Sequence, residues 1–154
     1  MKRLPLFAFL ICFCAAPGYA ADLASLAKGA KDAESCIGPL AQGDLKGFED
    51  CLGKLEAAAA GEAKAKSNYA VGLDFQGWTF ANSLAAAADK DLFPEIKKRS
   101  AASPERQMAM RLFDKFRPLQ KKLKIKDADL AKSGGYDLAA VAPYLDYYDK
   151  LPKK

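Results

Sequence analysis

Apolar residues recur every three or four positions along most of the chain, which is the spacing of one face of an α-helix. Alanine is abundant, β-branched residues are scarce, and no stretch alternates between apolar and polar residues for long enough to indicate a strand. Glycine and proline interrupt the pattern at 38–39, 94, 104 and 134–135. The pattern predicts an all-α, single-domain helical bundle of about five helices.

The predicted helices cover residues 22–36, 44–60, 62–88, 104–122 and 137–151. Asp44 and Asp137 stand where an N-cap is needed, and Ser103 precedes a proline at the first helical position. A further short helix is predicted from Phe93 to Arg99.

The third predicted helix is apolar on two sides, which is typical of a helix surrounded by others. Gly72 and Gly77 within it predict close approach of a neighbouring helix, or a bend. Asp74, Trp78 and Asn82 share one face of this helix. The favoured interpretation is that this face is exposed and that Trp78 is an anchor for a binding partner. The alternative is a buried carboxylate, which would need a partner or a raised pKa.

The first twenty residues have the three-part layout of a secretory signal peptide. A basic start (1–3) is followed by an apolar run (4–16) and by helix breakers and small residues (17–20). The apolar run is shorter than the roughly 20 residues that a membrane-spanning helix needs. We therefore expect cleavage after Ala20, a domain of residues 21–154, and a location in the periplasm or outside a bacterial cell.

Two of the four cysteines, Cys36 and Cys51, remain after that cleavage. In an oxidising compartment they allow one intramolecular disulfide, near the N-terminus of the domain. A redox or nucleophilic thiol is disfavoured, because the chain has no Cys-x-x-Cys pair and no histidine.

Charge is divided unevenly along the chain. Residues 21–90 hold seven Lys and Arg against ten Asp and Glu, whereas residues 91–154 hold fifteen against nine. A basic run in the second half is a candidate site for an acidic partner or for contact with a membrane surface, although a solvated helix end is the favoured interpretation. Its members are Lys121, Lys122, Lys124 and Lys126. Nucleic acid is excluded as a partner by the expected export.

No catalytic pattern is recognisable. The chain lacks histidine, a nucleophile elbow, a phosphate-binding loop and metal-ligand spacing, so we expect neither an enzyme nor a cofactor or metal site. The nearest carboxylate pairs, at 49–50 and 146/149, fall on amphipathic helices, where such pairs usually face solvent. Tyr144, Tyr147 and Tyr148 wrap the last helix, so part of this set must be core and the rest can serve recognition.

These observations favour binding without catalysis. We expect a small exported protein that occludes a protein partner, such as an inhibitor or an immunity protein. The alternative is a periplasmic chaperone or an adaptor for secretion or envelope assembly, which would expose Met108, Met110 and the tyrosines to many clients.

Overall fold

The computed structural model describes residues 17–153, and side chains from residue 23 onward. The predicted signal peptide lies outside the described residues except for its last four positions. The described chain is all-α, as predicted. Its α-helices are α1 Pro17–Ala33, α2 Ile37–Ala41, α3 Leu45–Ala57, α4 Ala63–Asp89, α5 Pro104–Lys122, α6 Asp127–Ser133 and α7 Leu138–Lys150.

Helix α4 is the centre of the bundle, and α1 and α5 pack along it on two sides. Fourteen of its residues are buried, between Asn68 and Ala85, which agrees with the prediction of a helix surrounded by others. The hydrophobic core is continuous from α1 through α4 to α5 and α7. The site described below forms where this central helix meets α7.

The α1–α4 contact depends on glycine. A Cβ atom added at Gly72 would overlap the carbonyl oxygen of Leu26, and one added at Gly29 would overlap that of Tyr69. The predicted close approach at Gly72 is therefore confirmed, and the two backbones touch without side chains between them. Gly77 faces the flexible side chain of Leu52 instead, with its added Cβ 2.6 Å from Leu52 Cδ1.

The predicted disulfide is present. Cys36 and Cys51 are bonded, with their Cα atoms 5.7 Å apart, and the bond joins the 3₁₀ turn Glu34–Cys36 after α1 to α3. Cys36 is fully buried, so the link belongs to the core.

The predicted N-caps hold with one exception. The Asp44 side chain accepts a hydrogen bond from the backbone N–H of Gly47 at 2.8 Å, and Ser103 accepts one from Arg106 at 3.2 Å. Asp137 occupies the N-cap position of α7 but makes no capping hydrogen bond with its side chain.

Three segments differ from the prediction. The predicted interruption at 38–39 lies inside the short helix α2, because the chain continues helically after the 3₁₀ turn that ends at Cys36. Residues 93–98 form no helix, and only the 3₁₀ turn Arg99–Ala101 follows them. Instead, Phe93 packs on α7, with ring centroids 5.2 Å from Tyr144 and 5.1 Å from Tyr147. The Tyr147 hydroxyl also donates to the carbonyl oxygen of Pro94 at 3.0 Å, so tertiary contacts rather than local hydrogen bonds hold the segment. Helix α6 was not predicted, because seven residues carry too little periodicity to be recognised.

Candidate functional site

The prediction that one face of α4 is an exposed patch is wrong. Asp74, Trp78 and Asn82 do lie on one face, but they are 3%, 1% and 7% exposed, so this face points into the bundle. They do not form one cluster either. Asp74 is 3.2 Å from the ammonium group of Lys115, Trp78 joins an aromatic cluster, and Asn82 accepts from Arg106.

Burial raises the pKa of Asp74 to about 6. Lys115 on α5 opposes this rise, but its ammonium group also contacts Glu56 on α3 at 2.8 Å. The alternative weighed from the sequence, a buried carboxylate with a partner and a raised pKa, therefore describes Asp74.

A fully buried arginine is the largest feature that the sequence did not reveal. The Arg106 guanidinium donates to Asp89 at 2.9 Å, to Asn82 at 2.9 Å and to the hydroxyl of Tyr148 at 3.0 Å. Its Nη2 atom has no hydrogen-bond partner among the described residues. An arginine on an amphipathic helix is normally exposed, so only its position among the apolar residues of α5 could have signalled this role.

A groove of about 300 Å³ opens beside Trp78, between α4, α7 and the segment after α4. We call it the Trp78 groove. It combines aromatic, aliphatic and neutral polar side chains. Its lining residues are Trp78, Thr79, Asn82, Ser83, Ala86, Leu92, Tyr136, Ala140, Val141 and Tyr144.

The indole N–H of Trp78 is buried and has no hydrogen-bond partner among the described residues. Buried donors are nearly always paired in proteins, and leaving one unpaired costs about 1–3 kcal/mol. Trp78 is also part of the groove wall. The N–H itself is shielded from solvent, so it is a buried unpaired donor and not part of the accessible groove surface.

Two exposed hydrophobic residues stand next to each other at this groove. Leu92 lines it and is 51% exposed, and its neighbour Phe93 is 43% exposed. Among the described residues, only Ile37 and Leu138 are large hydrophobics of comparable exposure. Neither of these two lines the groove.

The three tyrosines of α7 divide as predicted between core and surface. Tyr148 is buried, and burial raises its pKa to about 12. Tyr144 is half-buried and lines the groove, whereas Tyr147 is half-buried and donates to Pro94. Only Tyr144 is placed for recognition at the groove.

The basic run is exposed at all four lysines. Lys121 lies 3.4 Å from Asp149, while Lys122, Lys124 and Lys126 make no ion pair with another described residue. Arg117, beside the run, is nearly buried and bonds to Asp149 at 2.7 Å and Asp127 at 2.6 Å. It therefore joins α5 to α6 and α7.

The carboxylates considered for acid–base chemistry are all paired with cations. Glu49 binds Arg111 at 2.7 Å, Asp50 binds Lys46, Asp146 binds Lys150, and Asp149 binds Arg117. In residues 17–153 no group of three or more histidine, cysteine or acidic side chains is arranged to hold a metal ion. No described helix combines the length and the hydropathy required to cross a membrane.

Comparison of the chain with protein-family models, with curated proteins and with solved structures found no match.

Proposed function

We propose that this protein is a small exported binding protein that occludes a protein partner without catalysis, in the manner of an inhibitor or an immunity protein. The observation that carries the proposal is the Trp78 groove with Leu92 and Phe93 exposed beside it. Exposed apolar residues next to a preformed concavity are typical of interface hot spots.

The frame around the groove supports specific recognition rather than promiscuous binding. Phe93 packs against two tyrosines with tilted rings, and Tyr147 is hydrogen-bonded to Pro94, so the groove rim is ordered before a partner arrives. Preorganisation of this kind lowers the entropic cost of association.

The chaperone alternative expects Met108, Met110 and the tyrosines of α7 to face outward, toward many clients. Met108 and Met110 are 0% and 2% exposed, so they offer no such surface to clients. A groove with an ordered rim suits one partner better than many.

The test is affinity capture with the disulfide-bonded protein, using extracts and secreted fractions of the producing cells, with mass spectrometry as the readout. Two variants make it specific: Leu92→Glu places a charge on the groove wall, and Ile37→Glu places the same charge on an exposed residue away from the groove. We expect one stoichiometric partner that Leu92→Glu loses and Ile37→Glu retains.

Capture of many substoichiometric envelope proteins would favour the chaperone instead. A partner lost equally in both variants, or no partner at all, would contradict the proposal.

A further inference from the structure

We infer that the basic run, Lys121, Lys122, Lys124 and Lys126, docks on the surface of a bilayer that contains anionic phospholipid. The inference is independent of the proposed function, because none of these lysines lines the Trp78 groove. It assigns a second interaction surface to the protein, together with the chemistry of what that surface contacts.

The charge of the basic run is not balanced by its surroundings. All four lysines are exposed, and residues 121–126 contain no acidic residue. Two neighbouring acidic side chains, Asp127 and Asp149, both bind the guanidinium group of Arg117. Of the four lysines, only Lys121 contacts one of these carboxylates, at 3.4 Å. The run therefore keeps most of its positive charge available to attract a polyanion.

The loop after α5 directs its lysines outward. Helix α5 ends at Lys122, so half of the run lies beyond the helix. Residues 122–126 alternate between lysine and an apolar residue, and both apolar residues, Leu123 and Ile125, are partly buried against the core. The Gln120 side chain donates to the carbonyl oxygen of Ile125 at 3.1 Å, which holds the loop on α5. The lysines therefore project from an ordered surface.

A cleft beside Lys121 extends the positive surface toward the last residues of the chain. Its charged lining residues are four cations and two acids, namely Arg99, Arg117, Lys121 and Lys153 against Asp114 and Asp149. Lys153 is exposed. The excess of cations therefore continues from the end of α5 to the residues after α7.

The make-up of the run favours a bilayer over an acidic protein. A lysine ammonium group is a hydrated point charge on a flexible stem, without the planar fork by which arginine fixes the geometry of one carboxylate. The run also holds none of the exposed large hydrophobic residues among those described, whereas protein hot spots are typically aromatic residues or arginine. Attraction without fixed geometry suits a fluid array of phosphate headgroups.

The packing of α4 and α5 separates the run from the groove. Arg106, near the start of α5, binds Asp89 at the end of α4, whereas Lys115, further along α5, contacts Asp74. The two helices are therefore antiparallel, and the run at the end of α5 lies toward the start of α4. The groove lies along the second half of α4 and stays open to a partner when the lysines contact a bilayer.

The test is co-sedimentation of the disulfide-bonded protein with vesicles. Vesicles of about one-third phosphatidylglycerol in phosphatidylcholine are compared with vesicles of phosphatidylcholine alone. The measured quantity is the ratio of the two partition coefficients, because the apolar run 4–16 contributes equally to both. We expect a clear preference for the anionic vesicles in about 0.1 M salt and a ratio close to one in about 1 M salt, where screening is nearly complete.

Two triple variants of equal charge localise the surface. The first removes the three unpaired lysines of the run, as Lys122→Gln, Lys124→Gln and Lys126→Gln. The second removes three exposed lysines from the mixed-charge segment after α4, as Lys90→Gln, Lys97→Gln and Lys98→Gln. The two sets also match in backbone conformation, because Lys90 and Lys124 both have a positive φ, of 60° and 56°.

We expect the first variant to bind anionic vesicles about a hundredfold more weakly, or roughly fivefold for each lysine removed. The second variant should retain most of the binding. Thermal unfolding should be unchanged in both variants, because every replaced side chain is exposed.

Equal losses in the two triple variants, or a preference for anionic vesicles that survives in about 1 M salt, would overturn the inference. So would the absence of any preference combined with capture of an acidic protein that only the first variant loses, which would assign the run to a protein partner. The groove variant Leu92→Glu should keep the preference for anionic vesicles, so failure of this inference and failure of the proposed function are distinguishable.

Discussion

On its α1 side, helix α4 presents glycine, and on its α5 and α7 side it presents tryptophan. At Gly72 the backbones of two helices touch directly. At Trp78 aromatic rings separate the helices, and the ring centroids of Phe113, Phe116 and Tyr148 lie 5.4–5.7 Å from that of Trp78. Behind those rings lies the buried guanidinium of Arg106.

The difference explains where the groove is. At the glycine crossing, close backbone packing leaves no room between α1 and α4, and a depression of about 330 Å³ lies only beside the crossing, where α3 meets the two helices. Large side chains of unequal shape leave the Trp78 groove between α4 and α7. The disulfide further restrains the glycine side, and buried ion pairs restrain the tryptophan side.

The largest effect should come from Arg106→Ala on the open side. The substitution leaves Asp89 without its buried cation and removes the N–H groups that donate to Asn82 and Tyr148. We therefore expect a loss of about 3–5 kcal/mol in the free energy of unfolding. Chemical denaturation measures it. Arg111→Ala on the same helix removes a pair whose arginine is 53% exposed, and should cost no more than about 1 kcal/mol. Equal losses in the two variants would contradict a structural role for the buried charge.

On the tight side, replacing Cys36 and Cys51 together by serine should cost about 3 kcal/mol, as expected for a loop of 15 residues. Denaturation with and without a reductant provides the measurement. When the reductant is added, the stability of the unmodified protein should fall to that of the double variant. The stability of the double variant should not change with the reductant. If the reductant left the free energy of unfolding of the unmodified protein unchanged, the disulfide would not be stabilising.

Gly72→Ala tests the close crossing itself. The added methyl group would overlap the Leu26 carbonyl, so we expect destabilisation at the top of the range of about 1–3 kcal/mol for overpacking. Gly53→Ala is the control, because nothing lies within 4 Å of its added Cβ. That variant should be stabilised by about 0.4–1 kcal/mol. Similar effects of the two substitutions would show that the crossing is less tight than described.

Asp74→Asn should produce the most condition-dependent effect, which vanishes near pH 4. Because the folded-state pKa of about 6 exceeds the value near 3.9 of an unfolded aspartate, the folded state retains a proton that the unfolded state has lost between these two pH values. The stability of the unmodified protein therefore falls as the pH rises from about 4 to 6, and the asparagine variant lacks this fall.

The variant should match the unmodified protein near pH 4 and exceed its stability near pH 7, by at most about 3 kcal/mol. Thermal or chemical denaturation at both pH values is the measurement. Asp146→Asn, at an exposed pair with Lys150, should change little at either pH. Lower stability of Asp74→Asn at pH 7 would show that the ion pair with Lys115 outweighs the burial.

The sequence predicted well those features of the fold that depend only on neighbouring residues. Asp44 and Ser103 cap helices because a side-chain acceptor at that position satisfies a backbone N–H, and this depends on neighbouring residues alone. Cys36 and Cys51 were the only pair left for a disulfide after the expected cleavage. Gly72 was recognisable because glycine inside a long apolar helix needs a packing reason.

The site was not predictable in the same way. In a helix buried on most sides, periodicity does not distinguish the face toward α5 and α7 from the face toward solvent, so Trp78 was assigned to the wrong environment. The segment at Pro94 was predicted to be helical from its proline, but contacts of Phe93 with residues some fifty positions away decide its conformation. Arg106 is buried because its partners come from two other helices.

The disulfide also changes the path by which the chain folds. Gly29 and Gly72 meet only after the intervening segment closes into a loop, and the Cys36–Cys51 bond lies inside that segment. Once the bond has formed, the shortest covalent route between α1 and α4 bypasses α2. Halving a loop lowers its closure cost by about 0.6 kcal/mol, and this bond shortens the loop by about a third, so oxidation lowers the cost of bringing α1 to its glycine contact by a few tenths of a kcal/mol.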